Sequence, residues 1–238
     1  MKRENMGAKL LWSLLVLMLA AIFSTLAPAQ AMTMAAVALL PSLDGQLAKP
    51  AAVAVDGQGR VYVAESLTNR ITIFSQGGAL LAEHTGLAKP ISMAVDAAGR
   101  IYVGSALKGN VTVYAGGLQE LFKLGKGDGE FIQPADIDID ASGQIYVTDK
   151  DKNRVGVYSP SGQLLKSIAT PGSGDGQLNH PSSLAIDSAA SELAIIDHQQ
   201  IWDSYSQAWV DGSRIQFFST EGTFRRGYAK FGYDMNAG

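Results

Sequence analysis

Pro134-Ala-Asp-Ile-Asp-Ile-Asp140, Ile145-Tyr-Val-Thr-Asp149 and Asn153-Arg-Val-Gly-Val-Tyr158 are three short β-prone runs separated only by turn residues. Working outward, the first run is echoed by Pro50-Ala-Ala-Val-Ala-Val-Asp56, Pro90-Ile-Ser-Met-Ala-Val-Asp96 and Pro181-Ser-Ser-Leu-Ala-Ile-Asp187, with prolines 40, 44 and 47 residues apart. The second recurs as Arg60-Val-Tyr-Val-Ala64, Arg100-Ile-Tyr-Val-Gly104 and Glu192-Leu-Ala-Ile-Ile196. The third recurs at 71–74, 111–114 and 215–218, each copy ending in an aromatic residue, and a weaker fourth run follows a glycine in every copy. Between first and second runs lies Asp-x-x-Gly, at 56–59, 96–99 and 140–143. Aspartate accepts from nearby amides and glycine takes the left-handed position, so these aspartates read as turn formers rather than ligands. Four strands per 40–47 residues, with no helical period, predict four-stranded antiparallel sheets in a radial repeat.

Pro-x-x-Val-Ala-Val-Asp, then Val-Tyr-Val-Ala, then Asn-Arg-Ile-x-Ile-Phe resembles the NHL repeat, and the resemblance extends over about residues 44–228. It implies an all-β β-propeller whose relatives mostly bind other molecules, a minority being enzymes. The repeats are expected at about 50–85, 90–124, 134–169 and 181–228. Residues 32–238 hold four repeats and part of a fifth, and residues 35–40 resemble a lone outermost strand of the kind that closes a ring. A small closed propeller, an open arc and a ring completed by another chain all remain open; an arc leaves sheet edges that favour pairing, including self-association.

An acid ends the second run and an arginine begins the third in Glu65/Arg70, Asp149/Arg154 and Asp197/Arg214, whereas the second repeat has Ser105 and Asn110. Losing both charges together is what a structural ion pair predicts, because stranding one is costly.

The first 31 residues read as an export signal. Lys2, Arg3 and Lys9 precede an apolar stretch from Leu10 to Leu26, and Ala27-Pro-Ala-Gln-Ala31 supplies small residues for cleavage after Ala31. An uncleaved anchor is the alternative, and would be the chain's one contact with a membrane. The expected location is the periplasm or outside the cell. The leader carries three of the 19 basic and one of the 22 acidic residues, so residues 32–238 have net charge −5, the wrong sign for nucleic acid. The chain has no cysteine, which excludes disulfides, cysteine metal sites and a cysteine nucleophile. Its 47% hydrophobic and 17% charged residues exclude a disordered chain.

Candidate functional residues concentrate in the fourth repeat. Loops between second and third strands share one face with the connections between repeats. There Arg214 follows Asp197 by 17 residues, against five from Glu65 to Arg70 and from Asp149 to Arg154. It is expected to be a long loop carrying Trp202, Tyr205 and Trp209, either as protein-binding anchors or folded back to plug the channel or cap a sheet edge. His180, Asp197 and His198 meet on the same face and suggest a transition metal or acid–base chemistry, without an evident third ligand. His84 ends an outer strand, away from them. Asp136 and Asp138 stand where other repeats carry Ala52, Ser92 and Ser183, or Ala54, Ala94 and Ala185; they suggest Ca²⁺, or hydrogen bonding to backbone or channel water. The glycine-rich stretches 125–129 and 172–176 precede proline-led strands and read as flexible connections, not phosphate loops. No catalytic residue and no cofactor is assigned. The function expected is an exported non-catalytic propeller that binds or scaffolds proteins of the envelope or the exterior; the alternative is a lyase or hydrolase with a metal site on the fourth-repeat face.

Overall fold

The computed structural model describes residues 47–124, 131–203 and 207–229. The leader and the strand expected at 35–40 lie outside them, as do Tyr205 and the stretch 125–129. The described residues form strands and turns without a helix, and no helix among them is long and apolar enough to cross a membrane.

Four antiparallel sheets follow in chain order, each an up-and-down meander. Blade 1 is β1 (Pro50–Val55), β2 (Val61–Glu65), β3 (Arg70–Phe74) and β4 (Leu80–His84). Blade 2 is β5 (Pro90–Val95), β6 (Ile101–Ser105), β7 (Asn110–Tyr114) and β8 (Glu120–Leu124). Blade 3 is β9 (Pro134–Ile139), β10 (Ile145–Asp149), β11 (Arg154–Tyr158) and β12 (Leu164–Ile168). A short parallel pair, β13 (Thr170–Pro171) with β14 (Gln177–Leu178), leads to blade 4: β15 (Ser183–Asp187), β16 (Glu192–Asp203), β17 (Ala208–Ser219) and β18 (Phe224–Ala229).

The first strands neighbour one another, β1 against β5, β5 against β9 and β9 against β15, so the blades fan around one axis. Alternation along each strand gives every blade two apolar faces, and the core lies in the seams between blades. Tyr62, Ala64, Ile71 and Ile73 of blade 1 meet Met93, Ile101, Val103 and Tyr114 of blade 2. Equivalent clusters join blades 2 and 3 through Val111, Val113, Ile137 and Val147, and blades 3 and 4 through Val155, Val157, Leu184 and Ile195. At the second seam Ser92 donates across to the Pro134 carbonyl (2.8 Å), and a side chain at Gly104 would collide with both.

The Asp-x-x-Gly segments are the turns expected. Asp56 Oδ1 accepts from the Gln58 and Arg60 amides, both at 2.9 Å, and Gly59 has φ +76°. The same carboxylate does more than hold the turn: Oδ2 takes Arg60 Nε (2.6 Å) and the Tyr62 hydroxyl (3.1 Å), so the tyrosine buried in the next strand is pinned to the turn before it. Asp96 repeats the arrangement with Arg100 and Tyr102.

Two expectations fail. Residues 198–203 and 208–213 are strand, not loop: the β16–β17 ladder continues past Asp197↔Arg214 through six further pairs to Asp203↔Ala208. At about 3.3 Å per residue the hairpin runs on for about 20 Å beyond the turn level of the other blades. The stretch 172–176 is no slack connection either. Gly174 N and Gly176 N donate to Gln177 and Gln216 side chains, and Arg214 Nη1 donates to the Ser173 carbonyl (2.7 Å).

Candidate functional site

The turns between second and third strands lie on one face with the connections between blades. Ser66 N, Ala106 N, Lys150 N and His198 N donate to the carbonyls of Lys49, Lys89, Gln133 and Asn179 respectively. His180 sits on this face in a recurring backbone position. Like Lys49 and Lys89 it precedes a blade-opening proline with φ near +50°, and its amide donates to Asn153 Oδ1 (2.6 Å) as Lys89 N does to Asn69. The asparagine of each Asn-Arg pair therefore ties one blade's turn to the start of the next. This role went unread in the sequence, where the partner lies 20 or 27 residues away.

His180 and His198 are brought together, both exposed, with ring centroids 6.5 Å apart and nearly perpendicular. His180 Nδ1 lies 2.8 Å from Asn179 Oδ1. Asp197 does not join them. It is fully buried and accepts from Arg214 Nε and Nη2 (3.0 Å each), Gln216 Nε2 and the Asn179 amide. That network closes the fourth blade, as Glu65 with Arg70 (2.6 Å) and Thr72 closes the first. Burial pulls the Glu65 carboxyl upward, but the Arg70 guanidinium and the Ala48 amide outweigh it, and the group stays below the ordinary range.

The third expected staple does not form. Asp149 and Arg154 are register partners, yet Asp149 accepts from the amides of Ile132, Gln133 and Lys152. Its oxygens are taken by backbone, and Arg154 donates through Nη1 to Ser167 Oγ (3.2 Å) while its buried Nε and Nη2 make no hydrogen bond.

Asp136 and Asp138 point into the seam between blades 3 and 4. Asp136 Oδ2 accepts from Ser183 Oγ (2.7 Å) and Leu184 N (3.0 Å), and Asp138 Oδ2 accepts from Ile186 N (2.9 Å). Their other oxygens take the Ile137 and Ile139 amides. The two carboxylates thus satisfy amides along β15 that no fifth strand covers, joining blade 3 to blade 4. Burial raises the Asp138 carboxyl above its usual range despite these bonds. Among the described residues no three or more histidine and acidic side chains gather as metal ligands.

Of the aromatic candidates, Trp202 and Trp209 stand opposite each other in the hairpin register, while Tyr205 lies outside the described residues. The apolar surface the structure adds is the far side of blade 4. Ile196, Ile215 and Tyr228 form one cross-strand row and are 39%, 40% and 61% exposed. In blade 3 the same register holds Thr148, Val155 and Ile168, at 0%, 0% and 1%. Phe217 extends the blade 4 surface, with Tyr228 edge-on to its ring at 5.9 Å and Arg226 4.0 Å above it.

Residues 131–158 match the NHL repeat family, and the comparison with curated proteins found no match. The fold is similar to that of a chain of Kuenenia stuttgartiensis hydrazine synthase (TM-score 0.61, 19% identity, 77% of this chain and 50% of that one). It is similar also to a chain of the nidogen/laminin complex (TM-score 0.59, 16% identity, 78% and 65%). A third likeness is to virginiamycin B lyase from Staphylococcus aureus (TM-score 0.52, 15% identity, 78% and 71%). This chain spans half the length of the hydrazine synthase chain, and at these identities the likeness is one of fold. The third blade thus matches the NHL repeat, and the described residues have the architecture of a β-propeller.

Proposed function

We propose that this NHL-type propeller is an exported, non-catalytic module that holds another protein against its fourth blade, in the cell envelope or outside the cell. The carrying observation is the Ile196–Ile215–Tyr228 row, left open where every equivalent β-branched or aliphatic position of blades 2 and 3 is buried. A contiguous apolar sheet face rimmed by charge is the usual form of a protein contact surface. The β16–β17 hairpin stands beside it and extends the edge a partner meets. The leader read at 1–31 supports export, and a chain of the nidogen/laminin complex, itself a protein assembly, shares the fold.

The test places a photo-crosslinking residue at Tyr228 in producing cells, with exposed Leu67 of blade 1 as control position. One dominant adduct, lost with Ile215→Asp, is expected; labelling no stronger than at Leu67 overturns the reading. An adduct at twice the chain mass identifies the partner as a second copy.

The neighbouring His180 and His198 rings favour one second reading, a lyase or hydrolase acting on small molecules from this face. His180→Ala and His198→Ala decide it. A stoichiometric metal that is present in the purified protein and lost in both variants would displace the scaffold reading.

A further inference from the structure

The face that carries the turns between second and third strands is charged unlike the rest of the chain, and the staples are the reason. Its acids Glu65, Asp149 and Asp197 are fully buried, each held by backbone amides, an arginine or both. Glu83, on the outer strand of blade 1, shares Arg70 with Glu65. Blade 2 has Ser105 and Asn110 instead and brings no acid to this level. The lysines are not turned inward. Lys49 and Lys89, whose carbonyls receive the Ser66 and Ala106 amides, and Lys108 on the β6–β7 turn are all exposed. Lys123 and Lys166 on outer strands are ion-paired to Glu120 and Glu221, whereas these three have no carboxylate at ion-pairing distance among the described residues. The exposed carboxylates of the level, Asp151 and Asp175, belong to its blade 3–blade 4 end. A chain whose residues 32–238 carry net charge −5 thus presents a positive surface at blades 1 and 2.

Aliphatic side chains stand among the lysines. Leu67 and Leu107 take the same place in the turns of blades 1 and 2, two residues past the second strand, and are 68% and 75% exposed. Ile132, ahead of blade 3, is 54% exposed. Gly109 lies against the Phe131 and Ile132 carbonyls, which makes the Leu107 turn and Ile132 neighbours. The turn itself requires no leucine, since blade 3 has Asp151 at that place. Aliphatic tips set among lysines suit a lipid surface, where branched chains enter the acyl boundary and ammonium groups reach phosphate. Protein contact surfaces are built otherwise, depleted in lysine and with leucine under-represented among their hot spots. The β16–β17 hairpin leaves the same level at blade 4, with Trp202 opposite Trp209, the residue type that gathers at membrane–water interfaces.

We infer that the face of the 2–3 turns docks on an anionic lipid surface. Lys49, Lys89 and Lys108 meet the headgroup phosphates, and Leu67, Leu107 and Ile132 enter the acyl boundary. This contact needs no leader. It also lies apart from the far face of blade 4, so lipid binding and the crosslink at Tyr228 succeed or fail separately.

The experiment is flotation of the protein, purified after removal of its leader, with two kinds of vesicle: pure phosphatidylcholine, and phosphatidylcholine with phosphatidylglycerol in equal parts. Flotation with the mixed vesicles is expected at low salt, with release at about 1 M NaCl, where screening acts within about 3 Å. Pure phosphatidylcholine should leave the protein behind. Lys89→Gln and Lys108→Gln should each weaken binding about fivefold, as one basic residue near such a surface implies. Leu67→Gln together with Leu107→Gln should weaken it several-fold at constant charge. Lys166→Gln, paired with Glu221 on the outer strand of blade 3, is the charge-matched control and should change nothing. The substituted side chains of the face are exposed, so melting temperatures should hold. Equal flotation with both vesicles overturns the inference, as do lysine variants that behave like Lys166→Gln. A leucine variant that floats unchanged overturns it too, because charge attraction alone then remains. Soluble polyglutamate bound with the same lysine dependence, while vesicles are ignored, would replace lipid by an acidic protein as the occupant.

Discussion

Blades 3 and 4 share a register and differ in what stands on either side of them. Blade 3 is covered on both faces, and its second-to-third strand pair Thr148↔Val155 is sealed from water. Among the described residues blade 4 is covered by blade 3 on one face, and the matching pair Ile196↔Ile215 on the other face is open. β-Branched residues at the same register position therefore have opposite environments. The difference teaches that the repeat specifies a strand and its two faces, whereas burial is conferred by the next blade. A half-covered blade with both faces still apolar has the make-up of a surface that is itself to be covered.

The largest effect tests that statement directly. Val155→Asp puts a charge into a sealed seam, and a cost of about 4 kcal/mol or more, enough to prevent folding, is expected. Ile215→Asp, its counterpart, should cost about 1 kcal/mol or less, because the new carboxylate reaches water. Urea unfolding of the two variants measures the contrast. Comparable losses would mean that the far face of blade 4 is covered in the isolated protein, and the comparison would break.

A smaller contrast concerns the two arginines. Arg214→Met leaves Asp197 charged and fully buried, with Asn179 N and Gln216 as its remaining partners, so about 3–5 kcal/mol should be lost. Arg154→Met removes a guanidinium with two unbonded buried nitrogens, while Asp149 keeps its three backbone donors. Here the change should stay within about 1 kcal/mol, and a gain is consistent with the geometry. A large loss at Arg154 would show that the third staple closes in solution after all.

These pairs also mark how far the sequence could be read. Strand positions, the Asp-x-x-Gly turns and the shared face of the 2–3 turns are local facts, set by alternation and turn chemistry within about ten residues, and they were legible. The hairpin of blade 4 was not. His198-Gln-Gln200 and Asp211-Gly212 interrupt the apolar alternation that marks a strand, and only cross-strand pairing keeps β16 and β17 extended. Asp149 and Arg154 looked like the other staples because the competing Ile132 and Gln133 amides carry no side-chain signature. Asp136 and Asp138 were correctly placed on an inner strand, but their donors lie 47 and 48 residues on. The joint loss of charge at Ser105 and Asn110 was visible.

The seam between the compared blades gives the smallest effect, and its sign is distinctive. Burial dominates at Asp138 and holds its folded-state pKa above the usual 3.8, although the Ile139 and Ile186 amides pull it down. The folded protein thus binds this proton more tightly than the unfolded chain does. By linkage, the contribution of Asp138 to stability is greatest below pH 3.8 and declines as pH rises through the raised value, then levels off. Asp138→Asn removes the titration but not the geometry: one amide keeps an acceptor, and the other faces an NH₂ group, a cost independent of pH. The slope against pH, rather than the offset, therefore carries the test. Melting temperatures of both proteins between pH 3.5 and neutrality should show the wild type losing ground to the variant as pH rises, by a few degrees at most. If the wild type gains instead, the two amide bonds outweigh burial, and Asp138 is a net ionic clip between blades 3 and 4 at neutral pH.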